Sequence, residues 1–383
     1  MSTEFEFTEE MTALRTMVRG YCDERSPEPA VRAAMESASG YDLDYWKGLG
    51  SEIGVLGLAV PEADGGDGAG LVYQAVVLEE LGAALACGPV LGTLCLAIPA
   101  LAALADSQAK KDYLPALISG DLVATVAMPT AGGEFAPGRV TVTAAPAADG
   151  WTVTGTVDHV PDGVAAGLIL VPASTAEGVA LFAVDGSAPG VTRADQFTLD
   201  RTRRQATVGF DGAAARLLSA PGEAADVCAR TVRTAAALLA ASQVGGAQRM
   251  LDLTVAHVTS RLQFGQPVGA FQAVKHRCAN MLIEVEQTRS AAYHAAWVLE
   301  EGGDDPDLAV SLAKAVASDS YASVSRAAVQ LHGGLGFTWE GTPQLYLKRA
   351  TTDLLTLGTG SEHTERIARL VLDERIPAAN LPA

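Results

Sequence analysis

No run of apolar residues in this sequence is long enough to cross a bilayer; the most apolar stretches, such as 235–241, are short and alanine-rich. Basic residues are also scarce, with 27 Lys and Arg against 45 Asp and Glu and a formal net charge of -18. That balance argues against nucleic acid or an anionic membrane as a partner, so a phosphate-bearing ligand must be met by local donors. The opening residues Met1-Ser2-Thr3-Glu4-Phe5-Glu6 are acidic and lack the basic and apolar blocks of a signal peptide. The five cysteines (Cys22, Cys87, Cys95, Cys228, Cys278) are scattered and odd in number. They form no disulfide framework and fit a reduced, cytoplasmic setting. His159, His257, His276, His294, His332 and His363 show neither i, i+4 pairing nor cysteine neighbours, which argues against a metal site and for ordinary surface or core histidines. The glycines at 65, 66, 68 and 70 do not lead a predicted strand into a helix, so they read as a plain loop rather than a dinucleotide fold of the Rossmann type.

What is present is a large apolar fraction, 49% of 383 residues, enough for two or three domains. Residues 7–24 place Met11, Leu14, Met17, Val18 and Tyr21 at helical spacing, and 71–86, 89–105 and 107–119 continue that pattern after a glycine-rich loop at 61–70. Near Leu122 the pattern changes to short runs rich in Val, Thr and aromatics at 139–145, 151–157, 167–172, 179–184 and 205–210. Asp149-Gly150 between two of them is a hairpin signal. Long helices are predicted again over 224–260, 271–300, 307–332 and 361–374, as a four-helix bundle. Gly245-Gly246 and the many alanines in the first of these predict close helix–helix approach. The expected organisation is an N-terminal helical domain (1–121), a central β domain (122–222) and a C-terminal helical bundle (223–383), a mainly α fold around a small barrel or sandwich.

Three constellations carry chemistry. The segment 261–272 interrupts two long helices with Arg261, Gln263, Phe264, Val268, Phe271 and Gln272. An arginine there can pair bidentately with a pyrophosphate, and an aromatic can lie against a planar ring. Gln330-Leu331-His332-Gly333-Gly334-Leu335-Gly336 ends a helix in more glycine than a C-cap needs, which opens backbone amides to a ligand. Gly358-Thr359-Gly360-Ser361 enters the last helix, with Ser361 as the expected N-cap and His363 just beyond.

These segments, in this order and across essentially the whole chain, resemble the acyl-CoA dehydrogenase superfamily, and 332–340 most resembles its divergent actinobacterial branch. Val60-Pro61-Glu62-Ala63-Asp64-Gly65-Gly66 followed by Glu79-Glu80-Leu81 matches the family's N-terminal pattern. The resemblance implies FAD as cofactor and α,β-dehydrogenation of an acyl-CoA thioester, an oxidoreductase of lipid-type acyl groups. It implies that Arg261, Gln263, Phe264, Val268, Phe271, Gln272, Gln330, Gly333 and Gly334 serve the FAD of a neighbouring subunit, with Ser361 and His363 in a third FAD segment. It also implies an oligomer and an electron-transfer flavoprotein-type acceptor.

Two departures stand out. The glutamate that takes the α-proton in the family falls on Thr359 here, and its alternative location falls on Ala235; neither is a base. In the flavin-facing segment His159 and Pro161 replace the usual Trp and Thr. The preferred assignment is a base-lacking subunit of a heteromeric acyl-CoA dehydrogenase. The alternatives are a self-sufficient homo-oligomer with a displaced base (Glu362, Asp353 or Glu340) and a non-catalytic scaffold without flavin.

Overall fold

The computed structural model describes residues 7–105 and 107–373. Its first helices are α1 (Glu9–Arg25), α2 (Glu28–Glu36), α3 (Leu43–Ser51) and α4 (Leu71–Ala83). Side-chain caps start two of them: Thr8 accepts the Met11 amide, and Asp42 accepts the amides of Asp44 and Tyr45. The single helix expected over 89–105 is instead a π-helix, Val90–Ala97, that runs into α5 (Ile98–Ala102). Pro99 has no N–H for the Cys95 carbonyl, and the Ile98 amide before it reaches back five residues to Thr93. The helix α6 (Ser107–Ile118) closes this part of the chain.

The strands follow as β1 (Ala124–Val126), β2 (Thr130–Ala131), β3 (Glu134–Phe135), β4 (Thr143–Ala147), β5 (Gly150–Pro161), β6 (Leu168–Thr175), β7 (Gly178–Asp185), β8 (Val191–Asp195) and β9 (Gln205–Ser219). The pairs β6–β4, β4–β5, β5–β9, β9–β7 and β7–β6 close on themselves as a barrel, while β2 and β3 form a separate hairpin. The hairpin signal at Asp149-Gly150 is borne out, since Ala147 pairs with Gly150 across the turn. The strand expected from 139 begins only at Thr143, because Pro137–Arg139 is a 3₁₀ turn. The strand expected over 205–210 runs on to Ser219. Strand β6 is buried on both faces: Ile169, Val171 and Ala173 point into the barrel, and Leu168 and Leu170 into the helical core. Strand β7 does the same with Phe182 and Val184 against Leu181 and Ala183.

The C-terminal part comprises α7 (Glu223–Ser260), the short strands β10 (Leu262–Gln263) and β11 (Gln266–Pro267), α8 (Gln272–Glu301), α9 (Pro306–His332), α10 (Gly334–Phe337), α11 (Pro343–Leu355) and α12 (Gly360–Ala368). The predicted glycine contacts are borne out. A methyl group on Gly245 would collide with the Glu79 carbonyl of α4, one on Gly82 with the Ser242 carbonyl, and one on Gly246 with the Tyr321 ring. The bundle expected within 223–383 therefore takes one of its packing partners, α4, from the other end of the chain. Its last predicted helix changes character: α12 continues as a π-helix at Arg369–Asp373, and Glu374 lies outside the described residues. The helix α11, which the sequence reading missed, packs on α9 beside α12.

Buried charge joins the N-terminal helices to the bundle. Glu79, 2% exposed, is met by Arg15 at 2.9 Å, by Arg289, and by the Tyr293 hydroxyl at 2.6 Å. Glu80 takes two bonds from Arg19, at 2.9 and 2.8 Å. Burial raises the Glu79 carboxyl, but Arg289 and Arg15 outweigh it and hold the group below the ordinary carboxylate range. No disulfide forms among the described residues; all five cysteines are free.

Candidate functional site

Arg261 caps α7 and opens a two-stranded hairpin in which Leu262 faces Pro267 and Gln263 faces Gln266. The turn is Phe264-Gly265, with both φ angles positive at 52° and 80°. A left-handed backbone is costly for an aromatic residue, and the Phe264 ring it carries is 92% exposed. Phe271 meets that ring edge-on at 6.1 Å between centroids, and the Val268 amide returns to the Arg261 carbonyl at 2.8 Å. Val268 is half-buried, and Gln272 begins α8 exposed. Among the described residues the Arg261 guanidinium has no hydrogen bond or ion pair within the chain, and it points to solvent.

The glycine-rich turn lies beside this hairpin. His257, in the last turn of α7, stacks on His332, the last residue of α9, with centroids 4.4 Å apart. Histidines remote in sequence thus meet in space, although no group of metal-binding side chains is found among the described residues. The three glycines of the turn have different reasons to be there. Gly333 has φ +61°, Gly336 packs where a methyl group would meet the Val329 carbonyl and His332, and Gly334 has open space around it and no positive φ. Only Gly334 is unexplained by its own chain. Gln330 is exposed next to it.

The third segment is elsewhere. Gly360 sits against Asp319, thirteen residues before His332 on α9, a separation of about 20 Å along the helix. The expected N-cap is corrected. Thr359, not Ser361, caps α12, and its hydroxyl and the Glu362 carboxylate form a reciprocal capping box. Ser361 is exposed one residue inside the helix. His363 is fully buried, its Nε2 2.9 Å from the Leu357 carbonyl and its ring against Gly133 and Gly358. Its Nδ1 is buried without a partner. Burial and then nearby cations push its pKa down to about 4, so the ring is neutral. Lys314, also fully buried, donates to the Gly358 carbonyl at 3.1 Å, the Asp353 carbonyl at 3.1 Å and the Ser318 hydroxyl at 2.6 Å. The sequence reading missed this lysine, since nothing in its spacing on α9 sets it apart from a surface lysine.

A cleft of about 550 Å³ separates the barrel from α11. Met128, Thr130, His159, Pro161, Thr352 and Leu355 line it, so both residues that depart from the family's flavin-facing pattern reach it. His159 sits at a register shift in β5 with φ 57°, its Nδ1 3.3 Å from the Gln205 amide oxygen. Just beyond, buried Asp162 accepts the Gly92 amide at 2.8 Å and so caps the π-helix from across the fold. A second, apolar cavity of about 460 Å³ lies among α4, the π-helix, α7 and α8, lined in part by Leu94, Ile98, Thr234, Leu238 and Val298.

None of the acids considered for proton transfer lines the cleft beside His159. Asp353 is buried and paired with Arg203 at 2.7 Å. Glu362 is held below the ordinary range by the Thr359 amide and hydroxyl, against a weaker effect of burial. Glu340 is exposed and likewise lowered, by its own backbone amide and Thr338. Ala235 is fully buried in α7.

The donor set fits the end of FAD that carries the pyrophosphate. It offers a guanidinium with no partner in its own chain, an outward aromatic ring, and a glycine backbone open to approach at Gly334.

Residues 8–121 match the acyl-CoA dehydrogenase N-terminal domain, and residues 225–372 the acyl-CoA dehydrogenase C-terminal domain. The chain is similar to acyl-CoA dehydrogenase IpdE2 of Mycolicibacterium smegmatis, 34% identical over 94% of this chain and 98% of that protein. IpdE2 of Mycobacterium tuberculosis is 32% identical over 89% and 91%. Among solved structures, the ChsE4-ChsE5 complex from Mycobacterium tuberculosis matches with a TM-score of 0.86 and 30% identity, covering 100% of each chain. The Tcur3481-Tcur3483 steroid ACAD variant matches with a TM-score of 0.85 and 32% identity over 96% and 99%. With both family domains in place and relatives matched along nearly their whole length, the chain belongs to the acyl-CoA dehydrogenase family.

Proposed function

We propose that this protein is the base-lacking subunit of a heteromeric, FAD-dependent acyl-CoA dehydrogenase. The observation that carries the reading is a contrast within one chain. Both base positions are chemically silent, Thr359 committed to a helix cap and Ala235 buried, while the Arg261 and Gln330 side chains stand exposed without a partner among the described residues, Phe264 is exposed with only Phe271 edge-on to it, and Gly334 has open space around it. The two structural relatives, the ChsE4-ChsE5 complex and the Tcur3481-Tcur3483 steroid ACAD, each pair two proteins, and so support a partner chain. FAD, when bound, supplies the acceptor for the hydride from the acyl β-carbon.

Arg261 neutralises pyrophosphate charge, Phe264 covers a ring face, and Gly334 lets backbone amides approach the cofactor of the neighbouring subunit. Gln263, Val268, Phe271, Gln272, Gln330 and Gly333 shape that surface. The α-proton leaves to a carboxylate of the partner. The cleft beside His159 and Pro161 forms this chain's own half of a second site, with Ser361 exposed at the start of α12 and the buried His363 holding the carbonyl of Leu357, which lines the cleft. The three expected units, 1–121, 122–222 and 223–383, are retained in this reading, with cytoplasmic location and an electron-transfer flavoprotein-type acceptor.

The test is turnover of saturated acyl-CoA esters with an artificial electron acceptor. The expected result is little or no activity from the purified chain alone, activity with a homologous partner, and its loss when the partner's base glutamate is changed to glutamine. Robust turnover by the single chain would overturn the assignment.

A further inference from the structure

The hairpin and the glycine turn are each rigid on their own helix. Val258 of α7 packs against Gly269, and the Val268 amide bonds the Arg261 carbonyl, which fixes the hairpin to the end of α7. The Gly333 amide bonds the Gln330 carbonyl at 3.2 Å and Gly336 packs on His332, which fixes the turn to the end of α9. Their mutual position therefore depends on how the two helix ends are joined. At those ends His257 and His332 stack, 4.4 Å between centroids and 21° between planes.

Further up, Gly246 of α7 packs on the Tyr321 ring of α9, and Ala247, Met250, Val324 and Ala328 share one buried cluster there. At the ends both histidines are half-buried, and two flat rings span the gap. The His332 Nδ1 lies 2.8 Å from the Ala328 carbonyl, so it carries the hydrogen and fixes the plane of the ring. The His257 carbonyl accepts the Arg261 amide, which ties the stack to the arginine itself. Burial first, then His332 and Arg261, holds the His257 pKa below the ordinary histidine value, so the stacked ring is neutral at physiological pH.

We propose that the His257–His332 stack is a positioning clasp that sets the Arg261 hairpin against the Gly333-Gly334 turn, so that both address one dinucleotide cofactor. The clasp rests on the assignment of those two segments to FAD. Neither ring touches the cofactor; both act through the backbone that follows them.

The test compares His332→Ala, which removes the stack, with His332→Phe, which keeps an aromatic face without a charge, and with Arg261→Ala as the reference. His257→Ala removes the same stack from the other helix. Each variant is purified in the flavin-loaded assembly, and FAD retention is read by flavin fluorescence released on dilution, with the thermal midpoint as a folding control. The expected result is about tenfold weaker FAD retention for His332→Ala and His257→Ala, equivalent to 1.4 kcal/mol, with near-normal retention in His332→Phe and thermal midpoints close to the parent. Flavin loss in Arg261→Ala but not in either histidine-to-alanine variant would overturn the clasp and leave the cofactor assignment standing. Flavin loss in His332→Ala that His332→Phe does not restore would overturn it as well, since stacking would not be the cause. Full retention in all variants, Arg261→Ala included, removes the assignment and the clasp together.

Discussion

The Thr359 hydroxyl accepts the Glu362 amide at 3.2 Å, and the Glu362 carboxylate accepts the Thr359 amide at 2.8 Å. The residue at the family's base position and the nearest acid that could replace it are thus spent on each other at the start of α12. Thr359→Ala is expected to cost roughly 0.5–2 kcal/mol in stability through the lost cap. Denaturant titration reads that loss. Dehydrogenation by the partnered enzyme should change little in Thr359→Ala or in Glu362→Gln; a collapse of turnover in Glu362→Gln without loss of fold would identify a relocated base.

Arg261→Ala should separate cofactor retention from folding. The side chain is exposed and has no partner within the described chain, so the thermal midpoint should not move. A charge-assisted contact of about 1.5–3 kcal/mol is lost to the cofactor, lowering FAD affinity about tenfold or more. Equilibrium dialysis of the assembled protein followed by flavin absorbance measures this.

The glycines of the turn should respond differently to the same change. Gly336→Ala forces a methyl group against the Val329 carbonyl and His332, and should destabilise the fold by about 1–3 kcal/mol. Gly334→Ala meets open space and should fold normally, yet weaken flavin retention or assembly. Equal stability loss in both variants would show that Gly334 serves its own chain after all.

Glu79→Gln leaves Arg15 and Arg289 facing a neutral group in a buried setting and should cost about 3–5 kcal/mol. The sign with pH is fixed by the lowered pKa of Glu79. Its contribution is present above the unfolded carboxylate value and is lost as pH falls through the folded one. The parent should therefore lose stability in acid below about pH 4.5, the ordinary glutamate value, more steeply than the variant, a comparison for urea unfolding at several pH values.

Asp162 should show the opposite sign. Burial pushes it up to about 6 from 3.8, against the Gly92 amide, Arg203 and Arg349. The folded state then holds more protons between those values, so this group's contribution falls as pH rises from about 4 to 6. Asp162→Asn keeps an acceptor for the Gly92 amide and should flatten that part of the stability profile. An unchanged profile in the variant would show that Asp162 is not what titrates there.

Much of this was legible in the sequence where periodicity is long. The helices α7, α8 and α9 carry many turns of consistent pattern, and the Val- and Thr-rich runs mark the barrel. Short elements were not legible. The helices α2 and α3 are too brief to show a period, and α11 opens with Pro343 after the glycine-rich turn and reads as loop. Thr359 as N-cap could have been found, because three residues after it stands Glu362, as a capping box requires, whereas three residues after Ser361 stands Thr364. The buried pairs Arg203–Asp353 and Arg349–Asp200 join residues about 150 positions apart, and no local signal announces them. The same holds for His257 and His332, whose meeting depends on where two long helices happen to end.

The two-faced strands β6 and β7 bear on how the molecule comes apart. Each alternate residue belongs to a different interior: Ile169 and Phe182 to the barrel, Leu170 and Leu181 to the helices. Peeling the barrel away would strip the helices of one wall, and melting the helices would leave two strands with a bare apolar side. There is no seam along which one part can be lost while the other survives, so heat should take both in a single transition. A subunit of this kind cannot shed its barrel and keep its bundle, even if only the bundle's surface serves a neighbour's cofactor.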